Sequence, residues 1–577
     1  MMPIEVARAA LVATMVAPTL DRALESGVAL ARKATPLPLD AASVREMAFS
    51  QLGVPSELAA QLDLRGPVSG AVVGFGHDEP VKGAFTFSLK AGGDVGRFLA
   101  SLGTLVERRG AVSVIDTRSS GRGWFLPAGN AIVFADTEAA LVQAGNLALE
   151  ARRTGSQDDV SVVVYPDGLA RAMGTDVKTA SERMLSEIDA RSAATGRNLG
   201  PEGRQQLRDL LGYAADLATV EIALDLNVDK GVTLLARLRA KGGSNLEAVS
   251  RIVATVPIDP VLFGKDDAGI VVTSAYGERT LAQLRRQRSR LPAKTDPKAG
   301  KAAVAAGNLL DALADGLTGN VSMVGRLQPE LSLEMAYAIK DAAGAARIQA
   351  ALQATDRAAV TALVSAETTG AALDTKVLRA QKESVGRLRA VHWTVSFTVP
   401  GDTMGVMKKL FGKAGLDIYG AIVGGAGDDR LVFAMGPGGK ARLAAIAGGK
   451  VGPKDAKADA KPDGKKVASG PKGQMTGALA EATALAGRRS LYYYIDLREG
   501  LAVAKALSTT QSDPRLQMVM GMLKAPVPVL GGVTGDPSGR QLTLDLTVPP
   551  SCIAGIGGLF GAMMGAGAPP GASSMAN

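Results

Sequence analysis

Apolar and polar positions alternate most clearly between residues 215 and 256. Val220, Ile222, Leu224 and Leu226 take turns with Glu221, Ala223, Asp225 and Asn227, the period-2 signature of a strand with one buried face. Residues 227–231 supply a turn, and Val232, Leu234, Ala236 and Leu238 resume the alternation. Ser244 or Asn245 then caps a helix whose apolar residues Leu246, Val249 and Val253 are three to four apart. The order strand, turn, strand, helix recurs at four further places. Residues 68–75 and 83–89 precede a helix capped by Asp94, and 321–326 with 331–339 precede one capped by Asp341. The strand of Val391, Trp393, Val395 and Phe397 leads to a cap at Asp402, and 529–534 with 541–548 lead to one at Ser551. Hairpins mean antiparallel pairing. The pattern predicts an α+β fold of repeated antiparallel β-hairpin plus helix units, forming two or three sheets with helices packed on one face.

Shorter motifs fill the intervals. Ile132-Val-Phe134 reads as a strand and Asp136-Thr137-Glu138 as the start of a helix. The same order returns around Ile270 and around Leu431. Residues 175–211 read as a helical insertion, and 302–316 and 343–366 as Ala-rich helices. Residues 4–33 read as one amphipathic helix, bent near Pro18. The division expected is a helical segment 1–40, an α+β domain 41–290, a second one 291–449, a Lys/Gly/Pro linker 450–475 and a C-terminal α+β unit 476–577 with a Gly/Met/Pro-rich tail.

Composition narrows the function classes more than it selects one. The chain of 577 residues is 46% hydrophobic and only 4% aromatic, so its cores must be built from Ala, Leu, Val and Ile. A net charge of +9 is modest over this length, and its Lys and Arg are scattered rather than gathered on one aromatic-laced face. That argues against a nucleic-acid partner. No run reaches the ~20 apolar residues of a transmembrane helix. The single cysteine, Cys552, allows neither an intramolecular disulfide nor a Cys-based metal site.

Chemistry has few footholds. The two histidines are His77, in an acidic turn, and His392, on the polar side of a strand beside Thr394 and Ser396. No Gly-x-Ser-x-Gly elbow accompanies them. The glycine-rich stretches 424–430 and 531–539 read as hairpin turns rather than phosphate cradles. The pairs Asp158-Asp159, Asp266-Asp267 and Asp428-Asp429 stand before apolar strands and read as solubilising turn residues. Tyr492, Tyr493 and Tyr494 form the densest aromatic run, which fills a core or exposes one ring as a contact surface. The candidate interaction residues are therefore His77, His392, Tyr492, Tyr493 and Tyr494, with no catalytic residue, cofactor or metal expected.

Two passages, 52–75 (LGVPSELAAQLDLRGPVSGAVVGF) and 130–144 (NAIVFADTEAALVQA), resemble uncharacterised bacterial proteins of a domain-of-unknown-function class, common in myxobacteria-like genomes. The resemblance implies an exported or envelope-associated protein and assigns no catalytic residues. If the given start is the true one, the expected location is cytoplasmic. The functional expectation is a non-enzymatic binding or scaffold protein of the periplasm or cell envelope, with an envelope protein or an apolar ligand as partner. The alternatives are a carrier holding a lipid-like ligand between sheet and helices, and, further off, a hydrolase using His77 or His392.

Overall fold

A computed structural model describes residues 4–34, 40–51, 59–74, 81–117, 121–194, 201–255, 269–275, 277–292, 300–326, 331–368, 374–398, 415–424, 429–447, 490–496, 528–536, 538–550 and 553. His77, Asp266, Asp267, Asp428, the caps expected at Asp402 and Ser551, and the linker 450–475 lie outside them. The fold is α+β, with antiparallel sheet throughout, and divides into two compact units, 1–251 with 535–577 and 252–534.

The first unit contains β1 (Leu11–Ala17), β2 (Val68–Val73), β3 (Lys82–Ser88), β4 (Gly103–Arg109), β5 (Val112–Thr117), β6 (Gly121–Ala128), β7 (Ala131–Ala135), β8 (Val160–Val164), β9 (Leu217–Asn227) and β10 (Gly231–Ala240). The second contains β11 (Ile270–Ser274), β12 (Leu317–Arg326), β13 (Ser332–Ile339), β14 (Asp374–Val385), β15 (Leu388–Thr398), β16 (Leu416–Val423), β17 (Arg430–Met435), β18 (Leu491–Asp496) and β19 (Pro528–Gly535). The last strand, β20 (Gln541–Val548), returns to the first unit and pairs with β10 from Val232↔Val548 to Arg239↔Gln541.

Neighbour by neighbour, the strands of the first unit run β20-β10-β9-β8-β1-β2-β3-β7-β6-β5-β4. Those of the second run β19-β18-β11-β12-β13-β17-β16-β15-β14. Adding ten to each strand number of the β9-to-β4 order produces the second order. The two units therefore share one wiring.

The helix expected over residues 4–33 is interrupted. Helix Ile4–Ala9 is followed by β1, and a second helix spans Leu20–Ala34. LVATMVA is short and apolar, and it sits between β2 and β8 with Leu11, Val12, Val16 and Ala17 buried. A central strand apolar on both faces shows no alternation, and its apolar run imitates a helix face. Helix Pro166–Ala172 packs backbone to backbone on β1, because a Cβ at Gly168 would collide with the Leu11 carbonyl.

Helices lie on both faces of the first unit's strands, not on one. At β7, Ile132 joins Phe98 and Leu99 of helix Val95–Leu102, together with Ile115 and Phe125. The alternate residues Val133 and Ala135 meet Ala140, Leu141, Ala144 and Leu147 of helix Glu138–Thr154. Both helices carry the caps read from the sequence, with Asp94 accepting from Gly96 N and Thr137 from Ala140 N. In the second unit Asp341 likewise caps helix Ala342–Ala354, and Ile348 and Leu352 pack with Leu317, Val391 and Leu431. No helix among the described residues is long and apolar enough to cross a membrane.

Candidate functional site

The alternating residues of the β9–β10 hairpin form a site, with the orientation opposite to the one expected. Four cross-strand rows of three residues cover β9, β10 and β20: Val220–Leu238–Leu542, Ile222–Ala236–Leu544, Leu224–Leu234–Leu546 and Leu226–Val232–Val548. None of these positions is polar. Yet Ile222 is 46%, Leu234 45% and Leu544 37% exposed in the whole chain. The face continues across the sheet. From Leu544 and Ala236 the row passes through Ile222, Val162, Met15 and Gly70 to Phe85, one residue per strand over seven strands. Phe85 is itself 42% exposed. Beyond it, helix Val95–Leu102 closes the face over β5 to β7.

Glycine keeps this face flat. Gly70 pairs with Phe85, whose ring lies over it, so a Cβ there would stand 2.7 Å from Phe85 Cδ1. The corresponding face of the second unit has the same device at Gly420 under Phe433 and Gly531 under Tyr493. An aromatic ring laid on a cross-strand glycine shields backbone that has no side chain of its own.

The polar side of the same strands points inward. Arg237 on β10 makes a two-pronged bond to Asp158, Nη1 to Oδ2 at 2.6 Å and Nη2 to Oδ1 at 3.0 Å, and Nη1 reaches Glu221 Oε1 at 3.0 Å. Asp159 accepts from Leu226 N at 2.7 Å and faces Arg22 Nε at 3.3 Å. Asp158 and Asp159 are thus buried, not solubilising turn residues. They lie where β8 enters the sheet; Arg237, far along the chain, satisfies Asp158, and Leu226 N and Arg22 meet Asp159. The bond to Asp158 holds the Arg237 guanidinium above its usual range. Burial, and then the neighbouring Asp159, push the Asp225 carboxyl up. A sheet with ion pairs inside and leucines outside uses its outer face for something other than solvation.

His392 is buried, not on an exposed polar side. It lies between β14 and β16, stacked on Tyr419 with ring centroids 4.2 Å apart. Its Nε2 is 2.9 Å from Asp417 Oδ1 and its Nδ1 3.4 Å from Glu383 Oε2. Thr394 donates to the same Asp417 oxygen at 2.7 Å. Thr394 Oγ1 also lies 3.5 Å from His392 Nε2, but its shorter bond to Asp417 takes the hydroxyl proton, whereas a nucleophile–base relay needs that proton on the ring nitrogen. Burial and the carboxylates of Asp417 and Glu383 also push the Tyr419 phenol up. Of the tyrosine run, Tyr492 and Tyr494 are buried in the core and Tyr493 lies half-buried on the opposite face, as alternation in a strand requires. His392 on β15 and the tyrosines on β18 both belong to the second unit.

Among the described residues, no group of three or more His, Cys, Asp or Glu side chains is placed to hold a metal ion. Alternation says which residues share a side, not which side meets water, so the open face was not legible in the sequence. One signal was present: Glu221 and Arg237, opposite charges at facing hairpin positions, mark the polar side as self-satisfying. No protein-family model, no curated protein and no solved structure matches this chain.

Proposed function

We propose that the chain is a non-enzymatic binding or scaffold protein of the periplasm or cell envelope, and that the open apolar face of the first unit is its working surface. One observation carries the reading: the unbroken apolar row from Leu544 to Phe85, with Ile222, Leu234, Leu544 and Phe85 exposed. Monomeric soluble proteins rarely leave contiguous apolar patches of this extent uncovered unless something binds there. The envelope location rests on the resemblance of residues 52–75 and 130–144 alone.

The test is binding of the apolar dye 1-anilinonaphthalene-8-sulfonate at high dilution. The wild-type chain should enhance its fluorescence, and the double variant Ile222→Thr with Leu234→Thr should lose most of that signal while keeping its circular dichroism. Equal signals from both proteins would remove this face as the binding surface. A second reading, a carrier for a lipid-like ligand, is favoured by the adaptable Met15 and Phe85 in the same row. Organic extraction of protein purified from its native host would then release a bound lipid, and a clean extract would count against it.

A further inference from the structure

We propose that a second copy of this chain covers the open face of the first unit, two sheets packing face to face about a two-fold axis. The inference rests on the reading of that face as the binding surface and names its partner.

Shape argues first. Helix Val95–Leu102 bounds the face beyond Phe85 and helix Leu20–Ala34 meets it at Leu226; between them the sheet surface is open, and the Phe85 ring lying on Gly70 removes the ridge a side chain would raise there. An extended acyl chain would cover one row and leave the others wet. A flat apolar sheet instead matches another flat apolar sheet, and such pairs pack about 10 Å apart with interleaved side chains. Area argues next. Seven strands about 4.8 Å apart span about 29 Å, and three to four same-side positions per strand about 17–20 Å, which makes roughly 500–600 Å². Two such faces together bury at most about 1,000–1,200 Å², the lower end of the range for specific association and in keeping with a dimer that forms at micromolar concentration. Charge does not oppose it. The rows over β9, β10 and β20 contain no ionisable group, and Arg237, Glu221 and Asp158 on the reverse side already satisfy one another. Self-pairing therefore strands no charge, and a face that meets its own copy is complementary by symmetry.

Light scattering after size exclusion, with the full chain at tens of micromolar, reads the outcome. The expected mass is about twice the 59.0 kDa monomer. Ile222→Thr with Leu234→Thr places β-branched, strand-compatible side chains at both positions; it should return the monomer mass, or weaken the dimer at least about tenfold, with unchanged circular dichroism. Met184→Lys, on the exposed surface of helix Val177–Ala194, should leave the dimer intact. If the double variant fails to fold, Phe85→Thr, at the far end of the same row, serves in its place. A wild-type monomer mass at these concentrations overturns the proposal, and so does a dimer that survives the variants. The dye titration separates the two failures. A monomer that still binds dye at this face overturns self-pairing only, whereas one that neither pairs nor binds dye overturns both readings.

Discussion

Arg237 shows how much one side chain holds together. Its guanidinium joins β8, β9 and β10 through Asp158 and Glu221, and it is mostly buried. Arg237→Ala should destabilise the first unit by about 3 kcal/mol, because the carboxylates it leaves are buried without a counter-ion. Thermal denaturation checks this, and Arg237→Lys should recover only part of the loss, since an ammonium cannot reproduce the two-pronged bond. Asp225 makes the opposite prediction. Its carboxyl is pushed up by burial and by Asp159, so the folded chain binds that proton more tightly than the unfolded chain does. Its contribution is fully favourable below the unfolded value near 3.8 and is lost as pH rises through the folded one. Asp225→Asn should therefore raise the melting temperature at pH 7, and the gain should vanish in acid. A variant equally or less stable at pH 7 would contradict the assignment. None of this was legible from local pattern. Asp158-Asp159 before an apolar strand looks like turn chemistry, and nothing nearby in sequence announces that Arg237 will arrive opposite it.

At the scale of elements, the sequence was most legible where one face is wet and the other dry. The hairpins β2–β3, β9–β10 and β12–β13, and the caps at Asp94 and Asp341, follow from alternation and capping chemistry. It was least legible at β1, where apolar residues on both faces erase the period. The last strands β4 and β14 occupy equivalent positions, and each carries a bulge, after Leu105 and after Val377. Both are also charged, with Glu107, Arg108 and Arg109 on one and Lys376, Arg379 and Lys382 on the other. Bulges and charges blunt a sheet edge against pairing with other chains. Deleting Val106, the unpaired residue of the β4 bulge, should straighten that edge and increase aggregation in static light scattering without lost helicity.

For the whole molecule, the shared strand order of the two units is a relation that pattern reading could not reach. Local copies of strand, turn, strand and helix were visible, but the crossovers that place β8 beside β1, and β18 beside β11, connect residues far apart in sequence. The return of β20 to the first unit is equally non-local. A chain ending at Thr534 should accordingly lose more than a tail. It removes the partner of β10 along eight paired residues, leaves a long apolar edge bare, and should shift the protein to the insoluble fraction. Soluble, equally stable truncated protein would contradict this.

That late return also has a consequence for synthesis. The ribosome must add about 300 residues after β10 before β20 exists, a wait of roughly 15–60 s at 5–20 residues per second. Throughout it, the first unit is a nearly finished sheet with an open hydrogen-bonding edge beside its greasiest strands. Nascent chains stalled shortly before β20 should therefore be protease-sensitive in the first unit, and become resistant once the C-terminal strand leaves the exit tunnel.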